Sequence, residues 1–276
     1  MARSYTGSDV DQKDFVKVFD SLTGKYNRWE VWRDMVWMIA TSISNAVDKR
    51  YAKERDQIYR EIVEKYSESE MQKFANLFTI LTTSMDTKMS KGLWGDFLGE
   101  LFMNLDLGND LGGQFFTPYH LCLAMARINV DHHDKIENDL ERQGYITCCD
   151  PACGAGATLI AAAEVFKERD INYQQNVLFA GQDIDSTTAL MCYIQLSLLG
   201  CKAYVKIGNS LTEPLTEKET PDENIWLTPM IVGETVFKLF GLMCDGKEDQ
   251  DGLEEEIQPD EDSDKSRQSV KRKVSA

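Results

Sequence analysis

Residues 148–156 read CCDPACGAG and follow a short β-prone run, so cysteines 148, 149 and 153, one aspartate and two glycines crowd one turn. Three chemistries use such residues: metal ligation, thiol redox work, and a bare backbone loop that cradles a ligand. Cys148 and Cys149 are adjacent in a predicted strand and therefore point to opposite faces. No second pair of cysteines at metal-ligand spacing exists. The chain has only three histidines, of which His132 and His133 are neighbours that cannot share a helix face. A tetrahedral zinc site is therefore disfavoured. A reactive thiol at Cys153 would sit beside helix N–H groups, but the sequence offers no base partner for it.

The loop reading is stronger. Asp150 closes a predicted strand, and Gly154 and Gly156 let the backbone turn tightly into a helix with no Cβ to block close approach. The N-terminus of that helix offers unpaired N–H groups. Open α/β sheets bind ligands at this carboxyl edge. The Gly-Lys-Ser/Thr ending of a phosphate loop is absent. Leu159 stands where a dinucleotide loop would place its third small residue. The next strand ends GQDID, which puts Asp183 where a carboxylate can accept from ribose hydroxyls. A helix N-cap or a solvated turn is the other reading of Asp183, and more so of Asp185.

These residues need a scaffold, and the hydrophobic pattern supplies one. Strands are predicted at 145–149, 177–181, 203–207 and 224–228. Helices fall at 157–169 and 186–199 between them, and another is predicted from 231 to 243. Strand alternating with helix reads as a parallel α/β sheet. Upstream, residues 1–107 read as a helical domain. Trp29, Trp32, Val36 and Ile39 form one stripe, Ile58, Ile62 and Tyr66 a second, and Phe74, Leu77, Phe78 and Leu81 a third, with a further helix from Trp94 to Leu105. GNDLGGQFFTP at 108–118 breaks this pattern, and a helix follows with Thr117 as N-cap and Pro118 at its first position. The α/β domain is expected over 108–244. Residues 245–276 carry too few apolar side chains to fold and are expected to be a disordered acidic tail.

The 276-residue chain has a formal net charge of −16, of which the last 32 residues contribute −5 and the rest −11. Contact with a phosphate backbone then requires a local basic patch or a partner subunit. No window is apolar enough to span a membrane, no apolar signal core opens the chain, and the seven scattered cysteines read as buried hydrophobes. A cytoplasmic location is expected.

GQFFTP at 113–118, DPACGAG at 150–156 and GQDID at 181–185 together resemble the N6-adenine DNA methyltransferases, and most nearly the modification subunit of type I restriction systems. The resemblance covers about residues 90–230. It implies a partial Rossmann-like, class I S-adenosylmethionine-dependent methyltransferase fold behind a helical N-terminal domain. It implies S-adenosylmethionine as cofactor. It also implies DNA as substrate, reached through a separate specificity subunit in a hetero-oligomer. Phe115, Phe116, Thr117 and Pro118 match the segment that covers the methionine end of the cofactor. Asp150, Pro151, Ala152, Cys153, Gly154, Ala155 and Gly156 match the main cofactor loop. Asp183 matches the ribose-binding acid, and Ile184 would flank the adenine. Asn209 stands where the family places an aspartate facing the adenine amino group, and its side-chain oxygen can still accept.

One motif is missing. The family closes its fourth strand with Asn or Asp, Pro-Pro, and Tyr or Phe, which hold the flipped base and accept from its amino group. Here Thr228, Pro229 and Met230 occupy the matching position. Each lost polar contact would cost about 2.7–4 kcal/mol, or roughly 10²–10³ in rate. The fold is also expected to close near residue 244, before the further strands of the family. An open sheet edge would then need cover from the N-terminal helices or a partner. Four readings follow: an adenine-N6 DNA methyltransferase subunit; a cofactor-binding relative without catalysis that acts as a structural or regulatory partner; a protein whose remaining strands lie in another chain; and a methyltransferase acting on small molecules or proteins.

Overall fold

A computed structural model describes residues 10–109, 116–130, 133–215 and 222–231. The chain divides into a unit over Met1–Leu242 and a second over Met243–Ala276. The second holds the tail expected from residue 245, and it lies outside the described residues. So does the helix expected at 231–243, apart from Ile231 at its start.

Five helices open the fold: α1 (Val10–Thr23), α2 (Arg28–Val47), α3 (Ala52–Val63), α4 (Glu68–Ser90) and α5 (Phe97–Asn104). Three of them, α2, α4 and α5, begin at a side-chain cap. Asn27 caps α2 by accepting from the N–H groups of Trp29 and Glu30. Ser67 and Glu70 form a reciprocal capping box on α4. The predicted stripes turn inward: Trp32, Val36, Ile39, Ile62, Tyr66, Phe74, Leu77 and Leu81 are all buried.

The second half alternates helix and strand. Helices α6 (Tyr119–Val130) and α7 (His133–Gln143) precede β1 (Ile146–Asp150), and α8 (Ala157–Glu168) and the short α9 (Tyr173–Asn176) lead to β2 (Val177–Asp183). Helix α10 (Ser186–Leu198) then returns the chain to β3 (Lys202–Ile207). Helix α6 begins one residue after Pro118, whose carbonyl accepts from the N–H groups of Leu121 and Cys122. Strands β1, β2 and β3 run parallel in that order, with Asp150 level with Gly181 and Asp183 level with Ile207.

The fourth strand, β4 (Ile225–Leu227), corrects the reading of the sequence. It lies beside β3 and runs antiparallel to it, pairing Tyr204 with Leu227 and Lys206 with Ile225. The physical reason is the connection. After β3 the chain folds back through a turn in which the Asn209 carbonyl accepts from Thr212 and Glu213, and Ile207 N–H then donates to the Asn224 carbonyl at 2.9 Å. A return of this kind gives an antiparallel neighbour, whereas a parallel one needs a crossover, usually a helix.

One buried cluster joins the N-terminal helices to a face of the sheet, from Trp32, Leu81 and Phe102 through Ile160 and Phe179 to Tyr193 and Trp226. The core therefore runs without a break across residue 107. A smaller cluster of Leu178, Ala180, Tyr204, Ile225, Leu227 and Ile231 lies on the other face. Helix α3 reaches β4 through Arg55. Its guanidinium donates to the Ile225 carbonyl at 3.1 Å and to Ser44 Oγ at 2.5 Å, and lies 4.1 Å from the centroid of the Trp226 ring. Cover of this edge strand thus comes from the N-terminal helices.

Candidate cofactor site

The loop between β1 and α8 is held from both sides. Asp150 Oδ1 accepts from Ala152 N–H at 3.0 Å, and its other oxygen accepts the Thr158 hydroxyl, which ties the end of β1 to the first turn of α8. Cys153 N–H donates to the Gln182 carbonyl at 2.9 Å, and Gly154 N–H donates to Asp183 Oδ2 at 2.8 Å. The ends of β1 and β2 are therefore stitched together through the loop.

Both loop glycines are required by the backbone. Gly154 has φ +52° and Gly156 has φ +98°. A Cβ on Gly154 would approach the Phe116 ring at 3.3 Å, and one on Gly156 would lie 2.8 Å from Cys192 Sγ and 3.3 Å from its Cα. Gly156→Ala combines a left-handed backbone with a clash against a buried helix. We expect it to destabilise the fold by at least about 2 kcal/mol, read as a lowered urea midpoint. An unchanged midpoint would contradict the geometry.

The loop forms one wall of a cavity of about 180 Å³, whose lining includes Phe116, Thr117, Asp150, Ala152, Thr158 and Asp183. Phe116 packs against Phe102 of α5 with ring centroids 5.1 Å apart. The segment behind it is anchored to α8 by Tyr119, whose hydroxyl donates to Glu164 Oε2 at 2.7 Å. Burial, then that hydrogen bond, pushes the Tyr119 phenol far above its ordinary range. Thr117, Pro118, Pro151 and Ala152 are exposed at the mouth. Phe115 lies outside the described residues.

Asp183 faces this cavity with capacity to spare. Its Oδ1 accepts from Asp185 N–H at 2.9 Å and the Thr188 hydroxyl at 3.2 Å, and its Oδ2 accepts from Gly154 N–H. A carboxylate offers about four acceptor positions, so one on Oδ2 is left for a ligand hydroxyl. The N-cap of α10 is Asp185, which accepts from Thr188 N–H. Ile184 is 71% exposed and Leu211 91% exposed. They flank the turn where Gly208 N–H meets the Asp183 carbonyl. Asn209 stands in that turn with its side-chain oxygen accepting from Leu211 N–H at 2.9 Å, so it presently shapes the backbone.

Cys153 is buried, and a hydrogen bond with Cys192, followed by burial, raises its thiol well above the ordinary range; it is a packing residue here, not a thiolate. No cluster of metal-ligating side chains occurs among the described residues. Thr228, Pro229 and Met230 do not line this cavity. Because β4 is antiparallel, its end lies level with the start of β3. Thr228 Oγ1 donates to the Cys201 carbonyl at 2.7 Å and accepts from Ala203 N–H at 2.9 Å, fully buried.

A relay behind the loop left no local mark in the sequence. Asp96 caps α5 by accepting from Gly99 N–H at 2.9 Å, and the same Oδ1 accepts from Gln195 Nε2 at 2.7 Å. Gln195 also donates to the Ala155 carbonyl at 2.8 Å and accepts from Leu98 N–H at 3.1 Å. Burial outweighs these hydrogen bonds and lifts the Asp96 carboxyl to about 6. The folded protein then holds this proton more tightly than the unfolded chain. Its contribution favours folding below about pH 4 and is lost as pH rises through about 6. Asp96→Asn should therefore gain on the parent by up to about 3 kcal/mol between pH 4 and pH 7 in paired urea titrations. A pH-independent difference would contradict the shift.

Comparison with known proteins agrees with this geometry. Residues 98–229 match the family model of the N-6 DNA methylases, a span that runs from α5 through the cofactor loop to β4. The chain is 28% identical over 147 residues to the methylase subunit of the type I restriction enzyme MpnII of Mycoplasma pneumoniae. The match covers 50% of this chain and 25% of that protein, so the chain spans about a quarter of its relative's length. No solved structure matches. Over its loop, cavity and sheet the chain is similar to the N-6 DNA methylases.

Proposed function

We propose that this chain binds S-adenosylmethionine across the carboxyl ends of β1, β2 and β3, on a partial Rossmann-like class I fold, and acts as an adenine-N6 DNA methyltransferase of the type I modification-subunit kind. The observation that carries this reading is the loop from Asp150 to Gly156 facing Asp183 across one cavity, with bare glycines in left-handed conformation and Phe116 against them. The donor set fits the cofactor: the free Oδ2 position of Asp183 for a ribose hydroxyl, Ile184 beside the adenine, and Phe116, Thr117 and Pro118 toward the methionine end. When bound, the cofactor supplies an electrophilic methyl group. The chain's own residues fix its sugar, orient its sulfur end along the loop and shield it with Phe116.

The test is transfer of labelled methyl groups to DNA by the purified chain, with and without a specificity subunit, followed by digestion to nucleosides. Label in N6-methyladenine only when the partner is present is the expected result. The net charge of −16 supports that dependence. A second reading, a cofactor-binding partner without catalysis, draws on the burial of Thr228 at the far end of the sheet. Cofactor binding with no label under either condition would favour it.

A further inference from the structure

Next to the cofactor cavity, and sharing its Phe116 and Thr117 wall, lies a second cavity of about 410 Å³ that is also lined by Asp96, Gly99, Glu100 and Asn104. Asp96 is 4% exposed, yet only one of its oxygens is used. Both hydrogen bonds fall on Oδ1; among the described residues Oδ2 has no partner and no cationic side chain pairs with the carboxylate. Oδ2 lies over the bare Cα of Gly99, where a Cβ would come within 2.0 Å of it. Glu100 adds a second carboxylate to the same wall. A nearly buried anion is costly unless a cation or hydrogen-bond donors reach it. Here a residue of the cavity wall keeps one oxygen unpartnered, with Gln195 joining its carboxylate to the Asp150 loop.

Strand order says what reaches it. A ligand whose ribose sits on Asp183 at the end of β2 directs its adenine toward β3 and Asn209. Its other end must then run over β1 and the Asp150 loop to Phe116 and Thr117, and so into the second cavity. We infer that Asp96 is a further cofactor-binding residue, which receives the α-ammonium group at the methionine end of S-adenosylmethionine through its free Oδ2. This rests on the cofactor reading above and deepens it. It also explains why a cap position that asparagine could fill carries a buried charge.

Calorimetric titration of the full chain and of Asp96→Asn, each with S-adenosylmethionine and with 5′-methylthioadenosine, tests it. The second ligand keeps the adenosine and the sulfur but lacks the amino-acid end. Asn keeps the oxygen that accepts from Gly99 and Gln195, so the cap and relay survive. The expected result is at least a tenfold loss for S-adenosylmethionine and no loss for 5′-methylthioadenosine, with a melting temperature at pH 8 no lower than the parent's. Equal losses for the two ligands, or no loss for either, would overturn the assignment while leaving the cofactor reading in place. A parent chain that binds neither ligand would overturn the cofactor reading, and this inference with it.

Discussion

Asp183→Ala is expected to weaken S-adenosylmethionine binding at least tenfold. The substitution removes two things at once. It takes away the free acceptor position proposed for a ribose hydroxyl, a charge-assisted hydrogen bond worth about 1.5–3 kcal/mol. It also releases Gly154 N–H, Asp185 N–H and the Thr188 hydroxyl, which all converge on this carboxylate. Asp183→Asn separates the effects. Asparagine can accept with one oxygen and so preserve part of the loop, but its amide cannot accept at the Oδ2 position. The Ala variant should therefore lose both affinity and thermal stability, and the Asn variant mainly affinity. Unchanged affinity in either would place the ribose elsewhere on the sheet edge.

The second large effect concerns stability far from the cavity. Arg55→Ala should destabilise the protein by about 3–5 kcal/mol, the range for breaking a buried charged contact. Arg55 is buried, and burial lowers its pKa despite the Asp48 carboxylate beside it. Its removal leaves the Ile225 carbonyl and the Ser44 hydroxyl without their donor and uncovers one face of Trp226. Asp48 remains paired with Arg50 at 2.8 Å, which places the expected loss toward the lower end. Arg60→Ala is the control, since Arg60 pairs with Asp56 on the same helix while 70% exposed. Its urea midpoint should stay put. Equal shifts for the two arginines would mean that α3 does not clamp β4.

The glycine loop after β1 was legible in the sequence because local rules govern it. A strand ending in Asp150, two glycines and a helix start leave few alternatives, and the predicted strands lie within one or two residues of β1, β2 and β3. The same holds for the helical stripes, whose period alone says which face is buried. What the sequence hid was direction and distance. NIWLT reads as a strand whichever way it runs, because alternation carries no polarity, so its antiparallel return was not visible. The Asp96–Gln195 pair joins residues 99 positions apart, and no local pattern encodes such a contact. Arg55 did leave a trace: it lies three residues before Ile58 and seven before Ile62, on the stripe that turns inward. A charged residue on an apolar face was the available sign that α3 carries a buried polar contact.

Calorimetric titration of the folded chain with S-adenosylmethionine tests the central claim most directly. Saturable binding at one site is the predicted result. Absence of binding at millimolar cofactor, in protein that unfolds cooperatively, would contradict it.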